Sequence, residues 1–228
     1  LPWIFQACMP STDVPLFLPM KKDYKEIITV DDCLPGSDAP LDISGVHAVN
    51  GRSFIPPYEE GLQSLRVGMG CFWGAERLFW QIEGVWVTAV GYAGGVTKNP
   101  TYQEVCSGYT AHTEVVQVVY SNKNIELTDI LKTFWESHDP TQGMRQGNDS
   151  GTQYRSALYL DDELQLEAAL KSREVYQDQL EAGGMGQITT EIRVEPVIYF
   201  AEEDHQQYLH KNPGGYCNLR GTGISCVA

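Results

Sequence analysis

The chain has 228 residues and a net charge of −14, with 42% hydrophobic and 20% charged side chains. This length can bury a core without disulfide support, and the composition is typical of a globular protein. The acidic balance, with no cluster of Lys or Arg to offset it, excludes a protein that binds nucleic acid or anionic lipid. No apolar run approaches membrane-spanning length.

The first part of the chain lacks a regular hydrophobic pattern. Residues 1–20 are apolar but interrupted by four prolines, and they have neither the basic start nor the unbroken apolar stretch of a secretory signal. Turn signals such as LPGSDAP and IPPYEEG continue the irregular pattern. We therefore predict an irregular N-terminal arm over residues 1–64, and we expect a cytoplasmic protein.

Regular patterns begin at residue 65 and switch between strand and helix. Strands are predicted at LRVGMG, VWVTAVGYAGG, TEVVQVVY, YRSALYL and ITTEIRVEPVIYF, and Pro196 in the last indicates either a break or an edge strand. Helices are predicted at Phe72–Ile82, at ELTDILKTFWESH, at Asp161–Glu181 and, shorter, around EEDHQQYLHK. This mixture predicts one α/β or α+β domain over residues 65–211, with helices packed on a sheet.

The last segment, residues 212–228, is rich in glycine and carries two cysteines. The composition predicts a mobile, irregular tail with little core to enter. Burial then does not explain Cys217 and Cys226, and a mobile thiol is suited to attack an oxidised cysteine and resolve it as a disulfide. The alternatives are a structural disulfide within the tail and two incidental thiols.

Cys71 lies where a predicted strand turns into a helix, and Phe72 and Trp73 follow it. At a helix N-terminus the sulfur faces unpaired backbone N–H groups and the positive end of the dipole, which favours the nucleophilic thiolate. The alternative is a small apolar side chain that fills a tight corner. The two aromatic residues likewise either belong to the core or line a substrate pocket.

Three further residues have side chains suited to acid or oxygen chemistry. Glu114 shares one strand face with Val116 and Val118. If that face packs inward, desolvation raises the pKa of the carboxyl toward a proton-donating form; otherwise Glu114 points into solvent. Tyr102 and Tyr154 carry phenol groups that can hold and polarise an oxygen atom, although tyrosine is also a routine surface residue.

The remaining cysteines and the histidines do not indicate a metal site. Cys8, Cys33 and Cys106 have no comparable sequence context and are interpreted as structural. The chain has no C-x-x-C pair of the kind that binds structural zinc. His138 and Asp139, within ESHDPTQG, are interpreted as a helix C-terminal turn. We predict neither a metal ion nor an organic cofactor.

Several separated blocks of the sequence resemble one enzyme family. In chain order they are GCFWGAERLFW, GYAGG, NPTYQEVCSG, HTEVV, ESHDPTQGMRQGNDSGTQYRSALY and EEDHQQYLHKNPGGYC. Together, from about Gly68 to Cys226, they resemble the A-class peptide methionine sulfoxide reductases. The resemblance implies an α+β fold, a two-layer ferredoxin-like plait with long irregular N- and C-terminal segments wrapped around it.

The resemblance also implies roles for individual residues in the reduction of methionine S-sulfoxide. Cys71 would attack the sulfoxide sulfur, and Glu114 would protonate its oxygen. Tyr102 and Tyr154 would bind that oxygen by hydrogen bonds, with Asp149 nearby in the same site.

Substrate and reductant follow from the same resemblance. Phe72 and Trp73 would hold the S-methyl group of oxidised proteins, peptides or free methionine sulfoxide. Cys217 and Cys226 would recycle the oxidised enzyme, with thioredoxin as the reductant, in a monomer that repairs proteins after oxidative damage.

Two other classes of function use the same cysteines. A thiol peroxidase or disulfide oxidoreductase would be oxidised by hydrogen peroxide or a dithiol, but Glu114 and the two tyrosines have no clear part in it. A redox-sensing module would bind oxidised methionine without turnover.

Overall fold

The structure is a computed structural model that describes residues 26–226. The proline-rich segment 1–20 and Cys8 lie outside the described residues. The described part of the predicted arm is residues 26–64, of which the last two already belong to the first strand of the sheet. The only helical segment in this part is the short 3-10 turn Val30–Asp32.

Strands and helices alternate from residue 63 onward. Within the described residues, strands β1 to β8 span Gln63–Met69, Val85–Ala93, Thr113–Tyr120, Arg145–Gln146, Asp149–Ser150, Ser156–Leu160, Glu191–Val194 and Tyr199–Phe200. In the same part of the chain, helices α1 to α5 span Phe72–Trp80, Tyr102–Cys106, Leu127–Ser137, Glu163–Ala182 and Tyr208–Lys211. Every strand and helix predicted from the sequence is present, and Pro196 separates β7 from β8, so the first of its two alternatives, a break, is confirmed.

Six of the strands form one sheet in the order β7-β6-β1-β3-β2-β8. All neighbours are antiparallel except β6 and β7, which are parallel. The two short strands β4 and β5 pair separately. The chain therefore has an α+β fold with a mixed six-stranded sheet.

Both faces of the central strand β3 are buried. On one face Val116 and Val118 join the main core with helices α1, α3 and α4. On the other face Val119 packs with Phe54 of the arm. The alternating sequence of β3 indicates at most one buried face, but the structure buries all eight of its residues, because the arm covers the second face.

The tail is irregular, but the prediction that it has little core to enter is wrong. Cys226 is only 6% exposed and belongs to the main core. The hydroxyl of Tyr176 on α4 bonds to that of Thr222 at 3.0 Å. A Cβ atom at Gly221 would lie 1.9 Å from the carbonyl oxygen of Glu136, so glycine here permits close packing of the tail on α3.

None of the helices in residues 26–226 is long and apolar enough to cross a membrane.

Candidate active site

Cys71 occupies the corner between β1 and α1, where it is the N-cap residue of the helix. The corner is tight: Gly70 has φ +84°, and a Cβ atom on it would lie 2.6 Å from Cβ of Gln146. Glycine is therefore required before the cysteine, since other residues rarely adopt this backbone conformation. The Cys71 side chain is a free thiol with partial exposure.

The resting form of Cys71 is the thiol, and the expectation that the helix end favours the thiolate is wrong. Burial raises the pKa of Cys71 well above its usual value, the charge of Glu114 raises it further, and a hydrogen bond from the backbone of Trp73 lowers it. The effect of desolvation on this pKa outweighs that of the helix end, because the first N–H group of the helix, that of Phe72, donates to Glu114 and not to the sulfur.

Glu114 on β3 faces the same corner from the sheet. Its side chain is 1% exposed, and its Oε2 accepts a hydrogen bond of 3.1 Å from the backbone N–H of Phe72. Burial raises the pKa of Glu114 to about 8, although the bond from Phe72 opposes the shift. The carboxyl group is therefore protonated at neutral pH and can donate a proton.

The raised pKa of Glu114 predicts a pH-dependent stability. An acid that binds its proton more tightly in the folded state favours folding at low pH, so stability falls as pH rises from about 4.5, the ordinary value, to about 8. The loss amounts to about 3–5 kcal/mol in the free energy of unfolding. We expect Glu114→Gln to reduce the fall in stability by about this amount, as measured by urea denaturation between these pH values; Glu76, whose pKa burial raises to about 7, accounts for part of the fall that remains. Glu167→Gln, at an exposed residue, should retain it; equal slopes for the wild type and Glu114→Gln would contradict the prediction.

Two tyrosines and an aspartate complete the polar side of the site. Tyr102 begins α2, Tyr154 ends a short 3-10 turn, and Asp149 lies on β5. Burial is the main cause that raises the pKa of both phenols, and the charge of Glu114 is the second. The charge of Cys71 also raises the pKa of each phenol. The structure thus brings these five predicted residues together, with both phenols neutral and able to donate hydrogen bonds.

Asp149 is linked to the tail. The hydroxyl of Tyr216 donates to its two carboxylate oxygens at 3.2 and 3.3 Å. Burial raises the pKa of Asp149, and hydrogen bonds from Tyr216 and Asn218 oppose this rise. The segment that carries Cys217 is therefore bound to the rim of the site.

The aromatic side of the site is centred on His205, which sequence reasoning missed. The rings of Phe72 and Tyr102 lie 5.4 and 4.4 Å from the imidazole, between centroids. The indole N–H of Trp73 is 3.2 Å from Nδ1 of His205. The indole ring of Trp73 also stacks on the ring of Tyr208, with 3.9 Å between the centroids. Phe72 is nearly fully buried, whereas Trp73 keeps some exposed surface.

Glu202 and Glu76 hold this aromatic segment in place, and no pattern in the sequence pointed to either residue. Glu202 accepts from the backbone N–H of Tyr102 at 2.7 Å. Glu76, fully buried on α1, accepts from the backbone N–H and the side-chain amide of Gln207 at 2.8 and 2.7 Å. Gln207 adopts a left-handed conformation with φ 47° just before α5, which is why that helix is shorter than predicted.

The two tail cysteines have different environments. Cys217 is exposed and lies close enough to Cys71 for its charge to raise the pKa of that thiol. Cys226 is buried, and its backbone N–H donates to Oε1 of Glu136 at 2.7 Å. The structure therefore brings Cys217 to the site and leaves Cys226 apart from it.

Two further cysteines lie in the described part of the chain. Cys33 is free and half-buried, and Cys106 is disulfide-bonded. Within residues 26–226, no group of three or more His, Cys, Asp or Glu residues is arranged to hold a metal ion.

Comparison with known proteins gives the same family from sequence and from structure. The family model for peptide methionine sulfoxide reductase matches residues 63–224. A peptide methionine sulfoxide reductase of Brucella anthropi is 57% identical over 210 residues, covering 92% of this chain and 96% of the relative. The mitochondrial peptide methionine sulfoxide reductase of Rattus norvegicus is 53% identical over 216 residues, covering 95% and 92%.

A solved structure has the same fold. Methionine sulfoxide reductase A of Corynebacterium diphtheriae superimposes with a TM-score of 0.80 at 45% identity, covering 88% of this chain and 98% of that one. The chain therefore belongs to the peptide methionine sulfoxide reductase family and is an oxidoreductase that reduces methionine sulfoxide in peptides.

Proposed function

We propose that Cys71 reduces methionine S-sulfoxide, free or in proteins, by taking its oxygen as a cysteine sulfenic acid. The observation that carries this proposal is the meeting of a partly exposed thiol with a buried, protonated carboxyl group, that of Glu114. A sulfoxide needs both, since its sulfur accepts a nucleophile only as its oxygen accepts a proton.

The protons needed for the first step are supplied and recovered by residues of the site itself. The Cys71 sulfur attacks the sulfoxide sulfur, and Glu114 gives its proton to the oxygen. The oxygen passes to Cys71 as a hydroxyl group, and methionine leaves. Glu114 recovers the proton that the Cys71 thiol loses, so the net reaction is thiol plus sulfoxide to sulfenic acid plus thioether.

Tyr102 and Tyr154 bind the substrate oxygen by hydrogen bonds in this scheme, with Asp149 nearby in the same site. Two neutral phenols beside the acid can donate hydrogen bonds to the developing negative charge, which stabilises the transition state. Phe72 and Trp73, next to His205, supply the apolar surface that holds the S-methyl group.

Recycling uses the two tail cysteines in sequence. The Cys217 sulfur attacks the sulfur of Cys71, a disulfide forms, and water leaves. Cys226 then exchanges with that disulfide and moves it outward within the tail, where thioredoxin reduces it. Because Cys226 is buried and bonded to Glu136 in the resting state, the tail must detach from α3 before this exchange.

Cys226→Ser should slow recycling and spare the first turnover. Without Cys226 thioredoxin must reduce the less accessible disulfide between Cys71 and Cys217, so we expect steady-state turnover with thioredoxin to fall about tenfold or more. Methionine released in a single turnover without reductant should stay at wild-type yield. An unchanged steady-state rate would remove Cys226 from the pathway.

The test of the whole proposal is a mass spectrum after one turnover without reductant. Loss of two hydrogens from the protein, with the disulfide mapped to Cys217 and Cys226, is the expected result. Rapid oxidation by hydrogen peroxide with no reaction toward a sulfoxide would instead indicate a thiol peroxidase.

The remaining proposals concern architecture and setting. We propose a ferredoxin-like plait for the core, which the strand order β6-β1-β3-β2 with helices α1 and α3 supports. The proposed divisions are an arm over 1–64, a catalytic domain over 65–211 and a tail over 212–228. We further propose a cytoplasmic monomer that repairs oxidised proteins; the rat and mouse relatives are named as mitochondrial.

A further inference from the structure

Cys217 contacts a side chain that the scheme above does not use. Nη2 of Arg77, on helix α1, donates a hydrogen bond of 3.1 Å to its sulfur. Arg77 is half-buried and forms no ion pair with a carboxylate among the described residues. Its positive charge is therefore directed at the tail sulfur.

A glycine on the same helix provides the space in which Cys217 lies. A Cβ atom on Gly74 would be 2.8 Å from the Cys217 sulfur and 3.1 Å from Cβ of Leu219. Glycine inside a helix lowers helix stability by about 1 kcal/mol relative to alanine. At this position it also allows the close approach of the tail. Cys71, Gly74 and Arg77 follow one another at three-residue intervals, which places them along one side of α1.

We propose that Gly74 and Arg77 form a docking face that positions Cys217 beside Cys71 and stabilises its thiolate. A guanidinium group is always charged at the pH values of interest and pairs with anions, and a cation beside a thiol favours its ionised form. Arg77 is a positioning residue in this inference, since it acts on Cys217 and not on the sulfoxide.

The step it assists is the resolution of the sulfenic acid, so the inference rests on the proposed function. The Cys217 thiolate attacks the Cys71 sulfur; the S–S bond forms and the S–O bond breaks. The Cys71 sulfur is reduced and the Cys217 sulfur is oxidised. The leaving hydroxide combines with the proton that Cys217 lost on ionisation, giving water.

The first test is a single turnover with methionine sulfoxide in the Cys226→Ser background, where the reaction stops at the disulfide between Cys71 and Cys217. Quenched samples are analysed by mass spectrometry for the sulfenic acid and the disulfide. With Arg77→Gln we expect the sulfenic acid to accumulate. The disulfide should form at about one tenth of the wild-type rate or more slowly still. Gly74→Ala should also slow the disulfide, although alanine favours the helix.

The matched control is Arg220→Gln, which removes the same charge from the exposed part of the tail. It should form the disulfide at the wild-type rate. Equal rates of disulfide formation in Arg77→Gln and the control would overturn the docking face.

The second test does not depend on sulfoxide chemistry. In a Cys71→Ser, Cys226→Ser variant, the rate of Cys217 alkylation by iodoacetamide is followed against pH and mapped by peptide. Adding Arg77→Gln should move the midpoint to higher pH, whereas Arg77→Lys should largely retain it. A midpoint that stays fixed in Arg77→Gln would overturn the inference. A wild type that releases no methionine from a sulfoxide would instead contradict the proposed function alone.

Discussion

Cys71→Ser is expected to abolish sulfoxide reduction, lowering the rate by about 10⁴-fold or more. The serine hydroxyl would occupy the same N-cap position, but it is a far weaker nucleophile at neutral pH and cannot form a sulfenic acid. The burial that already raises the pKa of the cysteine thiol would oppose ionisation of a hydroxyl group still more. The measurement is methionine released from a sulfoxide substrate with dithiothreitol as reductant.

The control is Cys33→Ser, at a free and half-buried cysteine outside the site, which should retain full turnover. If Cys71→Ser retained activity and Cys217→Ser lost it, the attacking sulfur would be Cys217 and the order of the cycle would be reversed. Repeated turnover of the wild type with dithiothreitol would also exclude a redox-sensing module that binds oxidised methionine without reducing it.

The regular elements could be predicted from the sequence because each carries its own hydrophobic periodicity. The helix Leu127–Ser137, for example, buries Ile130, Leu131, Phe134 and Trp135 at the expected spacing. Periodicity cannot reveal what covers a second face. All of β3 is buried because arm residues such as Phe54 pack on it from a distant part of the sequence.

The site residues, like the regular elements, could be predicted only where local sequence decides their environment. The inward direction of Glu114 was one of two alternatives that the strand pattern allowed, and the roles of the other site residues came only from the resemblance. The sign of the Cys71 pKa shift was mistaken, since the local argument counts the helix end and not burial. His205 and Arg77 were missed because their contacts, to Trp73 and Cys217, join residues more than a hundred positions apart.

Glu114→Gln is expected to lower the rate of sulfenic acid formation by about 10²–10⁴-fold, the usual range for loss of a general acid. Glutamine has nearly the same shape, and its side-chain oxygen can still accept the N–H of Phe72, which Glu114 now accepts at 3.1 Å. It cannot release a proton to the sulfoxide oxygen. The loss should therefore fall on the chemical step, measured as methionine formed in a single turnover, with little change in substrate affinity.

The stability of this same variant distinguishes loss of chemistry from loss of structure. Burial holds the pKa of Glu114 at about 8, so near that pH the wild type keeps a partly ionised carboxyl group in its core. Glutamine removes that cost, and the variant should be more stable than the wild type at pH 8 while it reduces sulfoxide more slowly. Such an exchange of stability for activity is expected where a site requires a buried acid. A variant that is both slower and less stable would make Glu114 a structural residue, and one that keeps its rate would require another proton donor.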